Sequence, residues 1–184
     1  MSQSETLEER QAHMIIKYRK LKIEKSEKIE DKIIYHLSKG SEKQIMLCVL
    51  GQKTIGISYV RELKELVDKE GVSKGILVGS GKYTYSSKST ANELGLELIP
   101  PTIPAFDIFE HELIPVHEIV SEEERNQILE KFHAKPYQFP WIKSSDPISI
   151  ILGAQPGDII RIVGKSETAG KYESYRYVVK ESER

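Results

Sequence analysis

The chain has 184 residues, of which 39% are hydrophobic and 30% charged, with a formal net charge of −1. That length allows one compact domain or two small ones, and near-neutrality argues against a free-standing nucleic-acid binder that relies on bulk positive charge. The single cysteine, Cys48, excludes an intramolecular disulfide and any multi-cysteine zinc site and suits a reducing compartment.

The opening MSQSETLEERQ is too acidic for a secretory signal or transit peptide. No apolar run approaches the roughly 18 residues of a membrane span. A soluble, intracellular protein is expected. Residues 5–28 place Leu7, Met14, Tyr18 and Leu21 at helix-compatible spacing among charges, which predicts an amphipathic N-terminal helix within a charged segment 1–31. It becomes basic toward its end, with six Lys/Arg against two Glu over residues 17–28.

The period then changes. KIIYHLS and QIMLCVLG are short, rich in Ile, Val and Leu, and separated by the polar KGSEK, so they read as two paired strands with Cys48 as a small core residue. YVRELKELVDKEG sets Val60, Leu63, Leu66 and Val67 on one helical face and ends at Gly71. GILVGS reads as a buried strand, SSKSTANELG as a short helix, and LELIPP as a strand halted by prolines. These elements make an α/β layer over residues 32–104, and the prolines at 100, 101 and 104 mark a linker.

Beyond the linker, residues 107–130 hold eight acids against Arg125 alone. SEEERNQILEKFH opens with Ser121 and has Glu124 three residues later, a capping box, with Ile128, Leu129 and Phe132 as its apolar face. DPISIILG predicts a compact helix with Asp146 as N-cap, Pro147 in the first turn and Gly153 at the end. DIIRIV and YESYRYVV read as strands joined through SETAG. The result is a small α+β domain over residues 109–180, near the lower size limit for holding itself together.

Several stretches invite a catalytic reading and fail on spacing. HELIPVH (residues 111–117) has histidines six apart, with Pro115 between them, whereas a zinc protease needs them four apart on one helix. GSGKYTY lacks the Walker spacing, and Tyr83 follows Lys82 where Ser or Thr belongs. Thr84 stands where a dinucleotide fingerprint needs its third glycine. Ser166, Glu167 and Thr168 have no histidine near in sequence, and a short polar turn beside Arg176 and three tyrosines makes a good interface edge instead.

The first domain is similar to the restriction-endonuclease-like fold. Nucleases of that fold hold a metal ion with an acid and a Glu/Gln-x-Lys pair on adjacent strands. The strand that should carry the pair reads QIMLCVLGQ, so the fold is expected to be catalytically empty. HELIPVHEIVSEEE, DPISIILGAQPGDIIRIV and KSETAGKYESYRYVV together resemble the C-terminal assembly domain of one of the small subunits of archaeal RNA polymerase. The same domain ends the fifth-largest subunit of the eukaryotic nuclear RNA polymerases. Residues 32–104 are similar to the jaw domain of the eukaryotic subunit, whereas archaeal members usually consist of the assembly domain alone.

The resemblance implies a non-catalytic polymerase subunit without metal or cofactor, in the cytoplasm of an archaeal-type cell or the nucleus of a eukaryotic one. Its assembly domain would anchor to the largest subunit through Glu167, Thr168, Tyr172 and Arg176. Its jaw-like domain would lie near downstream DNA, with Lys82 and Lys88 as candidate phosphate contacts. The competing expectation is a metal-dependent nuclease built on the first domain.

Overall fold

The computed structural model describes residues 5–166 and 170–180, and the chain divides into two units, Met1–Phe106 and Asp107–Arg184. No helix among the described residues is long and apolar enough to cross a membrane.

The first unit opens with α1 (Leu7–Tyr18). Its start is a capping box: Glu9 N donates to the Thr6 hydroxyl at 3.2 Å, and Thr6 N donates to Glu9 Oε2 at 2.7 Å. The helix is shorter than its periodicity predicts. Lys20 takes a left-handed conformation (φ 56°), and Leu21 N reaches back to Ile16 O at 2.9 Å, the closure that ends many helices. Of the predicted apolar face, Met14 and Leu21 are buried and Tyr18 is half-buried. Leu7 is 46% exposed, and the buried stripe runs through Glu8, Gln11, Ala12, Ile15, Ile16 and Arg19.

The segment that continues the predicted helix is instead β1 (Lys22–Ile29), paired antiparallel with β2 (Lys32–Lys39). Within the predicted helical segment 1–31, the described residues 5–31 are therefore a helix plus an edge strand of the main sheet, not a helix alone. β1 is exposed along almost its whole length, and its lysines are the kind that keep an open edge from pairing with other chains.

β3 (Glu42–Val49) completes an antiparallel meander, with Tyr35 opposite Met46 and Ile33 opposite Cys48. β4 (Thr54–Ile55) and α2 (Ile57–Glu70) lead to β5 (Lys74–Gly79), parallel to β3. β6 (Lys82–Tyr83) pairs with β4. α3 (Tyr85–Glu93) then leads to β7 (Glu97–Leu98), parallel to β5. The sheet order is β1-β2-β3-β5-β7.

Alternation along β3 divides the core. Ile45, Leu47 and Val49 join Ile34, Leu77 and the α2 residues Val60, Leu63 and Val67 in one cluster. Met46 and Cys48 point to the other face and are fully buried; α1 packs on β3 and β5. Each such side chain contributes about 1.5–3 kcal/mol by leaving water. Gly75 permits the close approach of α2 and the chain after α3. A Cβ there would lie 2.7 Å from Leu96 Cδ2 and 2.8 Å from Val67 Cγ2.

The second unit forms β8 (Val116–Ile119), α4 (Glu122–Lys131), β9 (Trp141–Lys143), α5 (Pro147–Leu152), β10 (Ile159–Ser166) and β11 (Gly170–Val179). Sheet order is β8-β10-β11-β9, with β9 parallel to β11 and the other pairs antiparallel. One face packs Ile159, Tyr175 and Tyr177 against Val120, Ile128, Leu129 and Phe139. Ile160 and Val178 point to the other face and are fully buried.

Asp146 caps α5, accepting from Ile148 N at 2.9 Å, and Gly153 closes the helix with φ 74°. Asp146→Ala is expected to lower stability by about 0.5–2 kcal/mol. A thermal melt of the variant checks this, and an unchanged melting temperature would mean the cap contributes nothing.

Candidate functional site

The first place to look for chemistry is the sheet of the first unit. The facing strands β2 and β3 present Ile33 opposite Cys48, Ile34 opposite Leu47 and Tyr35 opposite Met46, and all six are buried. Burial pushes the Cys48 thiol far above its ordinary range, so it has no thiolate character to bind metal or attack a substrate. Among the described residues no cluster of three or more His, Cys, Asp or Glu side chains is arranged to hold a metal ion.

One acid does sit inside this unit, and sequence reasoning missed it. Glu8 on α1 is only 4% exposed. Its Oε1 accepts from Gly51 N at 3.1 Å and from the Ser80 hydroxyl. Gly51 and Ser80 follow the ends of β3 and β5, so the carboxylate ties α1 to both parallel strands. Desolvation raises its pKa, but the hydrogen bonds from Ser80, its own backbone amide and Gly51 outweigh this and hold it below the ordinary value. A helical stripe running 8, 11, 12, 15, 16, 19 was the available signal; the exposed Leu7 and the polar Glu8 and Gln11 disguised it.

The glycine-rich segment 79–85 is not an open phosphate cradle. A Cβ on Gly81 would collide with the Gln52 carbonyl oxygen, because β6 lies directly against β4, with Lys82 N donating to Lys53 O at 3.0 Å. Lys82, on β6, and Lys88, on α3, are both exposed. Thr84 between them caps α3, accepting from Ser87 N at 3.2 Å.

The two histidines of HELIPVH make local contacts, His117 from within β8. His111 Nδ1 accepts from Leu113 N at 3.2 Å, and His117 Nδ1 lies 2.7 Å from Pro115 O. Burial is the leading influence on His117 and lowers its pKa, so it favours the neutral ring.

The face of β11 is different in character. Register places Tyr172 opposite Gly164, Ser174 opposite Ile162 and Arg176 opposite Ile160, so Tyr172, Ser174 and Arg176 line one side of the strand. Glu167 and Thr168 lie outside the described residues. Gly164 is buried under the Tyr172 ring, where a Cβ would collide with the ring. Tyr172 keeps 43% of its surface exposed, and Arg176, four residues further along the strand, is also exposed. A half-exposed tyrosine fixed over a glycine, with a guanidinium further along the same face, offers an aromatic anchor and a forked donor to a protein partner. On the opposite face Arg161 is used internally, bonding Glu118 at 2.9 Å and Glu124 at 3.4 Å.

Comparison with known proteins divides the chain at the same place. Residues 106–178 match the family model described as RNA polymerase Rpb5, C-terminal domain, and residues 17–101 match the model described as restriction endonuclease. Over 76 residues the chain is 54% identical to the DNA-directed RNA polymerase subunit Rpo5 of Thermococcus onnurineus, covering 41% of this chain and 93% of that protein. The Rpo5 subunit of Pyrococcus abyssi is 55% identical over 76 residues, with the same coverage. That of Sulfurisphaera tokodaii is 51% identical over 73 residues, covering 40% of this chain and 87% of the relative.

Proposed function

Since this chain belongs to the Rpo5/Rpb5 family of RNA polymerase subunits, we propose that it is the non-catalytic member of its complex that anchors to the largest subunit and holds a jaw near downstream DNA. The chain is a subunit of a DNA-directed RNA polymerase, and other polymerase subunits are its partners. The observation that carries this reading is the match of the second unit to nearly the full length of the Rpo5 subunits. The anchor is the β11 face with Tyr172 and Arg176; Glu167 and Thr168, which lie outside the described residues, are assigned to it from the sequence alone. The subunit works wherever its polymerase does, in the cytoplasm of an archaeal-type cell or in the nucleus of a eukaryotic one.

The nuclease reading is not favoured, because the central facing pairs of β2 and β3 (Ile33 with Cys48, Ile34 with Leu47, Tyr35 with Met46) are buried and hold no carboxylate. Purifying a tagged copy from its host and identifying the associated proteins by mass spectrometry tests the subunit reading. Recovery without polymerase subunits would refute it. A plasmid-cleavage assay with Mg²⁺ or Mn²⁺ tests the alternative, and cleavage by the pure protein would revive it.

The jaw reading has its own test. If Lys82 and Lys88 reach phosphates, the contact is sequence-independent and acts through counterion release. Each lysine removed is then expected to reduce the salt slope of promoter-complex lifetime by about 0.9. The comparison is lifetime against salt for polymerase carrying Lys82→Ala/Lys88→Ala and for wild type. Equal slopes would leave both lysines as ordinary surface charge.

A further inference from the structure

The second unit carries another surface, on the side of its sheet opposite Tyr172 and Arg176. Residues 131–143, KFHAKPYQFPWIK, hold three lysines, one histidine and four aromatic residues, with no acid among them. Register sets Trp141 opposite Tyr177, so Trp141, Tyr177 and Tyr175 share one face. Phe132 meets Tyr175 at 5.7 Å and Phe139 at 5.9 Å, edge to face. Trp141 Nε1 donates to Tyr137 O at 3.0 Å.

Ring contacts join Phe132, Phe139 and Tyr175, register sets Trp141 beside them through Tyr177, and the indole is tied to the backbone carbonyl of Tyr137. Trp141 nevertheless stays 65% exposed, Tyr137 57% and Phe132 49%. Adjacent large apolar side chains left in water mark interaction sites more often than not, and Trp and Tyr are the residues that dominate binding energy at such sites. The internal hydrogen bond already uses the indole N–H, so the ring presents its face with its orientation set, which lowers the entropy cost of docking.

We propose that this surface docks an acidic polypeptide segment that lays an apolar side chain on Trp141 and Tyr137 and sets carboxylates against Lys131 and Lys135. Lys131 Nζ already stands 5.7 Å from the centre of the Phe132 ring, which places a cation at the aromatic rim. A nucleic-acid strand suits the face poorly. Glu118 and Glu173 point to the same side of the sheet by register, and Glu124 joins them through Arg161. Closely spaced phosphates would meet these carboxylates, whereas a peptide can confine its few charges to the lysine rim. In a polymerase the segment belongs to another subunit, so the inference rests on the family reading above.

The test uses the assembled polymerase, with the photo-crosslinking residue p-benzoylphenylalanine replacing Tyr137. It is expected to attach to a stretch of another subunit where Asp and Glu flank an apolar residue. Trp141→Ala and Lys135→Glu, each added to that background, are expected to reduce the attachment about tenfold, and the Lys135→Glu effect is expected to shrink as salt rises. Attachment to nucleic acid, attachment to a basic or uncharged segment, or no attachment overturns the inference. A wild-type subunit that never enters the polymerase overturns the family reading along with it; normal entry without the acidic attachment overturns this inference alone.

Discussion

Replacing Arg176 with alanine is expected to weaken entry of the subunit into the polymerase by about 2–4 kcal/mol while leaving its own fold intact. The side chain is exposed on β11, so its removal opens no cavity and the melting temperature is expected to stay unchanged. A partner carboxylate or carbonyl pair facing it would lose a forked set of charge-assisted hydrogen bonds and be left unpaired. Arg176→Lys is expected to recover only part of the loss, since an ammonium cannot reproduce the planar fork. The measurement is competitive reconstitution of polymerase at limiting subunit concentration, wild type against variant. Equal incorporation would remove Arg176 from the interface and shift attention to Tyr172, whose ring is pinned over Gly164.

The second unit was largely legible because its signals are local. Ser121 with Glu124 and Asp146 with Pro147 are side-chain devices that act within one turn, and both caps form with the predicted partners. β10 and β11 announced themselves through runs of Ile, Val and Tyr. The short β8 and β9 were not legible, because each gains its strand character only from pairing with a neighbour.

The start of the first unit was misread for a physical reason. KIEKSEKI has no alternation and only two apolar residues, Ile23 and Ile29, one near each end, since an edge strand exposed on both sides has no face to bury. Its charges resemble those of a solvated helix, and it becomes a strand only because β2 supplies hydrogen-bond partners. A second capping box, Thr6 with Glu9, was present in the same segment and fixes where α1 begins. Of the proposed anchor, the strand that carries Tyr172 and Arg176 is legible in the sequence, but the glycine beneath the ring is not. Gly164 stands opposite Tyr172 only through antiparallel register, which spacing along one strand does not reveal.

Glu8→Ala is expected to destabilise the first unit by about 1–3 kcal/mol at neutral pH, the cost of stranding buried hydrogen-bond donors. The donors at stake are Gly51 N and the Ser80 hydroxyl, both now satisfied by the carboxylate. Removing it also cuts the tie between α1 and the ends of β3 and β5, so the loops carrying Gly51 and Ser80 lose their anchor. The charge itself matters, and pH reveals how. The folded-state pKa of Glu8 lies below its ordinary value of 4.5. Its contribution is therefore fully present above about pH 4.5 and is lost as pH falls through the folded pKa. The stability gap between wild type and Glu8→Ala should accordingly be widest near neutrality and narrow in acid. Glu8→Gln, which keeps an acceptor but no charge, should show a smaller gap at neutral pH that also narrows in acid, because the wild-type carboxylate protonates while the amide does not. Denaturant midpoints for the three proteins between neutral pH and about pH 3 provide the measurement. A gap that stays constant across that range would show that the carboxylate holds α1 by shape alone.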